Sequence, residues 1–209
     1  MNEPVRPAEQ EISDQRLLKG ARARATIARH AAEVASVEGL TGLSLGRLAG
    51  DLGVSKSGVA TLFGTKEKLQ LAAVQSAREM FIDIVIRPAY AHAGGMPRLR
   101  AIVENWFAYI GEPMLPGGCF RGQSVPEFDS RPGPVRDALV ADRDEWFAVL
   151  EKEIARAQEQ GHMPGLDPHA VAFQLDAIVS AANTAARMGD ESALDLARTI
   201  VDGLLGDSR

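Results

Sequence analysis

Small polar and cationic side chains gather in one stretch of the chain, in a pattern suited to holding a polyanion: Ser44, Arg47, Ser55, Lys56, Ser57, Gly58, Thr61 and Lys66. Lys56 and Lys66 offer charge to phosphates. The hydroxyls of Ser57 and Thr61 can bond base edges or phosphate oxygens, and Gly58 lets a backbone come close to a duplex. Upstream, Gln15 to Ala32 carries Arg16, Lys19, Arg22, Arg24 and Arg29 without a single carboxylate. This basic arm reads equally as phosphate contact or as a solvated helix face. Other chemistry is thinly supplied. Cys119 is the only cysteine, so it forms no internal disulfide and cannot by itself build a tetrahedral metal site. A nucleophilic thiol needs a neighbouring base, yet His30, His92, His162 and His169 are all distant in sequence, which favours a buried, unreactive Cys119 over a redox or electrophile sensor. No GxxxxGK[ST] loop or HExxH pair occurs. The chain is therefore read as a non-enzyme with no catalytic residue, metal or cofactor.

The elements that must position the polar stretch follow from caps and periodicity. Residues 1–14, with two prolines and no apolar repeat, are expected to be a disordered tail. From about Arg16 to Glu38, Ile27, Ala31, Val34 and Ala35 recur at helical spacing, and Gly39 is a natural stop. Ser44 caps a short second helix running to Leu52, Ser55 a third running to about Phe63, and Thr65 a fourth that opens at Lys66. Gly53 closes the turn between the second and third. Leu45, Leu48, Leu52, Val54, Val59 and Phe63 are the expected shared core, leaving Arg47, Lys56, Ser57, Gly58 and Thr61 outward. Two helices this short around a Gly-Val-Ser turn suit a helix-turn-helix, with an ordinary αα-hairpin as the competing reading.

Gly53-Val-Ser-Lys-Ser-Gly-Val59, followed by Phe63-Gly-Thr-Lys-Glu-Lys-Leu69, resembles the DNA-binding signature of the TetR family, and Arg24, Ile27, Gly39 and Leu48-Ala49 match in order and spacing. The resemblance implies an all-α protein of about nine helices. A three-helix DNA-binding domain at 15–66 would precede a larger helical effector-binding and dimerisation domain at 67–209. It further implies phosphate contacts from Ser44 and Lys66 at helix starts and recognition by residues 56–61. Where family members commonly carry an aromatic in the recognition helix, this chain has Ala60, and Leu62 stands where a histidine is frequent. The implied function is a repressor on double-stranded, near-palindromic operator DNA, released by a small-molecule effector. Rival readings are a constitutive DNA-binding protein without a ligand and a sensor that works through Cys119.

Charge and length are compatible with this. The net charge is −5, which argues against a polyanionic partner. However, residues 1–66 hold nine Lys/Arg against seven Asp/Glu, whereas 67–209 hold fourteen against twenty-one. With 209 residues and 45% hydrophobic content a sizeable core can form. No run is long and apolar enough to span a membrane, and the N-terminus does not resemble a secretion signal, so a cytoplasmic protein is expected.

Beyond Leu71 long helices are expected: the fourth through Ile86 before Pro88, a fifth with Leu99, Ile102, Val103, Trp106 and Ile110, a seventh over Val135–Gln160, an eighth capped by Asp167-Pro168, and a last over Glu191–Leu205. The turn from Pro113 to Phe120 contains Pro116, Gly117, Gly118 and Cys119. Trp106, Tyr109, Met114, Cys119, Phe128, Trp146 and Phe173 are the candidate lining of an effector pocket, with plain core packing as the alternative. The small and apolar faces of the last two helices are expected to form a homodimer interface.

Overall fold

The computed structural model describes residues 7–112 and 114–206, with side chains from residue 15 onward. Its architecture is helical throughout the described residues: α1 (Pro7–Glu38), α2 (Leu45–Asp51), α3 (Lys56–Phe63), α4 (Lys66–Phe81), α5 (Met96–Gly111), α6 (Phe120–Phe128), α7 (Pro134–Glu159), α8 (Pro168–Arg187) and α9 (Ala193–Leu205). Of the tail expected over 1–14, residues 1–6 lie outside the described residues, and residues from Pro7 form the first turns of α1. The fourth helix continues past Phe81 through a π-helical turn to Ile86, where Arg87 N–H reaches back five residues to the Ile82 carbonyl. Pro88 then opens a 3-10 turn, since it has no N–H with which to extend the ladder.

Local chemistry sets the element ends as the sequence suggests. Ser44 accepts from Arg47 N–H, Ser55 from Gly58 N–H, Thr65 from Lys68 N–H and Asp167 from His169 N–H. Each side chain satisfies a donor that an isolated helix start leaves unpaired. At the end of α2, Val54 N–H bonds the Ala49 carbonyl and Gly53 N–H the Gly50 carbonyl. Gly53 takes φ +64° there, which lets the chain reverse cheaply only because it has no Cβ.

Two apolar cores result. One gathers Ile27, Ala31, Leu40, Leu48, Val59, Phe63, Leu69 and Ala73 beneath α2 and α3, and is completed from far along the chain by Leu115, Phe120, Phe128, Val135 and Leu139. The other lies among α4, α5, α7, α8 and α9 around Phe81, Trp106, Trp146, Leu150 and Leu175. The helix-turn-helix thus rests on α6 and the start of α7 as well as on its own residues. Val54 departs from the expected core: it sits in the turn with its side chain exposed, because the reversal at Gly53 directs it away from the Leu48–Val59 contact. No described helix is long and apolar enough to cross a membrane.

Candidate nucleic-acid interface and sensing core

On α3, Val59 and Phe63 are buried while Lys56, Ser57, Gly58 and Thr61 are exposed, so the helix shows its polar face to solvent. The face is partly self-bonded. Thr61 Oγ1 donates to the Ser57 carbonyl at 2.8 Å, and Ser57 Oγ donates to Ser55 Oγ at 3.3 Å, which leaves hydroxyl lone pairs outward. Ala60 and Leu62, at the positions where an aromatic and a histidine would fit the family pattern, are half-buried against the domain. Lys56 extends along Gly46 of α2, with its methylene stem 3.8 Å from where a Gly46 Cβ would stand.

The cations divide into two groups. Arg47 is exposed, yet its Nε bonds Asp51 at 2.9 and 3.0 Å and its terminal nitrogens bond Glu38 at 3.1 and 3.3 Å. Asp51 in turn meets His30 Nε2 at 3.1 Å. The hydrogen bond from His30, with the Arg47 pair, holds the Asp51 carboxyl below the usual range. Arg47 therefore ties α2 to the end of α1. Arg24 does the same for α3, donating to the Leu62 carbonyl and stacking 4.5 Å over the Phe63 ring. Lys66 Nζ donates to the Thr41 carbonyl. Lys56 and the arm residues Arg16, Lys19 and Arg22 are exposed and have no ion pair among the described residues.

The Pro116-Gly117-Gly118-Cys119 turn, whose purpose is not legible in the sequence, is the joint between the two cores. Gly117 N–H donates to Ser36 Oγ of α1 at 2.9 Å, and a Cβ on Gly117 would stand 1.6 Å from the Ser36 carbonyl oxygen. Gly118 takes φ +77°. From the other side, Cys119 N–H donates to Asn183 Oδ1 of α8 at 3.3 Å, and Arg187 reaches the Pro116 carbonyl at 3.3 Å. Further along α6, the Glu127 carboxylate accepts from Leu40 N–H at 2.6 Å and from Thr41 N–H at 2.8 Å, and also from the Thr41 hydroxyl. It caps the 3-10 turn at Leu40–Gly42 that delivers the chain into α2. Nothing local in the sequence marks Glu127 for this role.

Of the seven candidate pocket residues, Trp106, Tyr109, Cys119 and Trp146 converge in the second core. Phe128 belongs to the other core, beneath the helix-turn-helix. Met114 and Phe173 are exposed, at 51% and 55%. Met114 lies in the turn after α5, and Phe173 is on α8, where helical spacing reports a face but not which neighbour covers it. Phe81, unforeseen as a lining residue, is the hub: its ring meets Trp146 edge-on at 5.0 Å, Tyr109 at 5.4 Å and Trp106 at 6.3 Å. The void beside it, bordered by Phe81, Tyr109, Cys119, Arg121 and Asp142, is only about 10 Å3, too small for any molecule larger than water. Among the described residues no cluster of His, Cys, Asp and Glu is arranged to hold a metal ion.

Cys119 is buried, and burial pushes its thiol pKa up, opposed only in part by Arg121 and backbone N–H groups. The native protein is therefore expected to react with a thiol reagent at neutral pH far more slowly than the same protein in denaturant, a comparison that a single timed absorbance assay makes. Rapid native labelling would contradict it. Burial also raises the carboxyl of Asp176, against the hydrogen bond it accepts from the Trp146 indole at 3.1 Å.

The outer face of α8 and α9 is apolar. An open groove of about 400 Å3 runs along Ala177, Ile178, Ala181, Ala185, Leu196 and Ile200, and Phe173, Met188, Leu196 and Ile200 are exposed beside it.

Residues 95–201, which include the Pro116–Cys119 turn, both tryptophans and most of the α8–α9 face, match the family of tetracyclin repressor-like C-terminal domains. The chain belongs to the TetR family. Among solved structures it is similar to a TetR transcriptional regulator from Chloroflexus aurantiacus J-10-FL, with 25% identity over 88% of this chain and 94% of the other and a TM-score of 0.78. It shares its fold with AibR in complex with isovaleryl coenzyme A and operator DNA (21% identity, 87% and 98% covered, TM-score 0.70). It shares the fold also with a transcriptional regulator from Saccharomonospora viridis in complex with choline (19% identity, 90% and 97% covered, TM-score 0.77). No curated protein matches the chain.

Proposed function

We propose that this TetR-family protein is a repressor that binds a near-palindromic operator as a homodimer and is released by a small-molecule effector held among its C-terminal helices. The observation that carries the reading is the joint. The same short helix, α6, that reaches the aromatic core through Arg121, stacked over Phe81, also caps the entry to α2 through Glu127. A change in the core is thereby felt at the helix-turn-helix through a contiguous, rigid path. Support for the two ligands comes from relatives of the same fold, one in complex with operator DNA and a coenzyme A thioester, another with choline.

In this reading α3 enters the major groove, Lys56 meets a phosphate, and Ser57, Gly58 and Thr61 approach base edges, with Ser44, Ser55 and Lys66 at or beside helix N-termini near the backbone. Arg47 acts by holding α2 in place, its charge being balanced by Glu38 and Asp51. The apolar α8–α9 face is covered by the same face of a second copy, and twofold symmetry sets the recognition helices about 34–36 Å apart. The effector acts only if it binds the two dimer geometries unequally, and such couplings amount to about 1–3 kcal/mol.

The deciding experiment is quantitative binding to the chain's own upstream intergenic DNA at two salt concentrations. Tight binding is expected, and Lys56→Ala should weaken it and shallow the log–log salt slope by about 0.9, the loss of one phosphate contact. Arg47→Ala should weaken binding without that change in slope. If neither this DNA nor a random-sequence selection yields a specific site, the repressor reading is wrong. If a compound that binds the protein never alters operator affinity, the constitutive reading replaces it.

A further inference from the structure

The aromatic hub contains an ion pair. Arg121, on the first turn of α6, donates to both oxygens of Asp142 at 2.6 and 3.0 Å, with the two side chains only 15% and 8% exposed. The Arg121 guanidinium lies 4.2 Å over the Phe81 ring and 5.7 Å from that of Trp146. Such a pair adds little stability over well-packed apolar side chains, because desolvating both charges offsets their attraction. Its presence among aromatic rings therefore calls for a role beyond packing.

The surroundings are rich in donors. Arg78 stands 3.7 Å from Asp142 as a second cation, and the Tyr109 hydroxyl and Cys119 thiol border the same small void. A further donor is buried without any partner, the Trp106 indole N–H in the aromatic cluster. Against these, Asp142 is the one carboxylate among the described residues that line the void, and nearby Asp176 is already taken by the Trp146 indole. Buried donors without acceptors are costly, and a ligand that brings an acceptor relieves the cost. Charge balance points the same way. An incoming anion on Arg121 leaves Asp142 paired with Arg78, while Glu145, which also pairs with Arg78 and is 59% exposed, returns to water. An incoming cation on Asp142 would strand Arg121 among apolar rings.

We infer that the effector is an organic carboxylate whose head group takes Arg121 from Asp142 and whose apolar body lies among Phe81, Trp106 and Trp146. This rests on the sensing reading above and names its ligand class. Arg121 and Glu127 share one helix of nine residues, so drawing Arg121 toward a ligand moves the Glu127 cap at Leu40.

Both tryptophans of the chain lie in this cluster, so their fluorescence reports occupancy without DNA. Wild-type protein is titrated with acetate, butyrate, benzoate and phenylacetate, and with the amide and amine matched to each. At least one carboxylate should give a saturable change, with its amide and amine about tenfold weaker or worse, the loss of one charge-assisted hydrogen bond. Arg121→Gln should weaken that carboxylate by about tenfold. Asp142→Asn, which removes the competing anion, should tighten it. Equal or better binding of amide or amine, no carboxylate binding by wild type or Asp142→Asn in the millimolar range, or weaker binding by folded Asp142→Asn would each overturn the inference. The wild-type comparison needs no variant to fold. Operator titration separates the two levels: amine-driven release would keep the repressor and discard the carboxylate, and carboxylate binding without release would do the reverse.

Discussion

Replacing Gly117 with alanine is expected to destabilise the protein by roughly 3 kcal/mol or more, a fall in melting temperature of roughly 6–12 °C for a chain of this size. The new Cβ would stand 1.6 Å from the Ser36 carbonyl oxygen and 2.0 Å from its carbon, so backbone and not a flexible side-chain tip must yield. Relaxation would also pull Gly117 N–H off Ser36 Oγ in a buried place, adding an unsatisfied donor. Gly50→Ala is the natural comparison, since it lies in the last turn of α2 with nothing within 4 Å of its added Cβ. It should be neutral or slightly stabilising. A melting curve on the two variants checks both, and similar melting temperatures would mean that the α1 contact is not tight. If operator binding is regulated as proposed, the alanine at 117 should also weaken operator affinity before the protein melts, because the joint orients α1.

Truncating Glu127 is expected to have the second largest effect. Glu127→Ala leaves Leu40 N–H and Thr41 N–H without the carboxylate that accepts from both. The loss of a charged cap that serves two backbone N–H groups costs about 2 kcal/mol, or roughly 4–8 °C in melting temperature. Glu127→Gln keeps an acceptor of the same shape and should recover about half of this. The informative readout is the DNA-binding unit itself. Hydrogen exchange at 39–43 and along α2 should rise in Glu127→Ala while exchange along α8 stays as it was. A uniform rise would instead mean a general loss of stability, and no rise at all would mean that Gln70, which donates to the Leu40 carbonyl at 2.8 Å, is sufficient to hold the turn.

Much of the fold is legible without coordinates, and the reason is distance along the chain. Ser44, Ser55, Thr65 and Asp167 find their partners two or three residues away, and the bonds closed by Gly53 and Val54 return to Gly50 and Ala49. Propensity, capping and periodicity act over one or two turns, so they set where helices start, stop and face. The polar face of α3 follows from the same spacing, as do the buried tryptophans of α5 and α7.

What a side chain meets across the structure has no such local signal. Arg24, Arg47 and Lys56 look alike in sequence. Arg24 is held by a carbonyl 38 residues on and Arg47 by Glu38 as well as Asp51, while Lys56 is exposed with no ion pair among the described residues. Phe173 and Trp146 both sit on long amphipathic helices, yet one faces out and the other is the floor of the core. The sequence by itself determined the helices, their caps and the polar surface of α3, since these depend on bonds between near neighbours. Only the tertiary structure decided which cations remain available, that Gly117 and Glu127 join α1 and the turn into α2 to the C-terminal helices across 81 and 86 residues, and that Arg121 stacks on Phe81. Those outcomes depend on which surfaces meet when the helices pack.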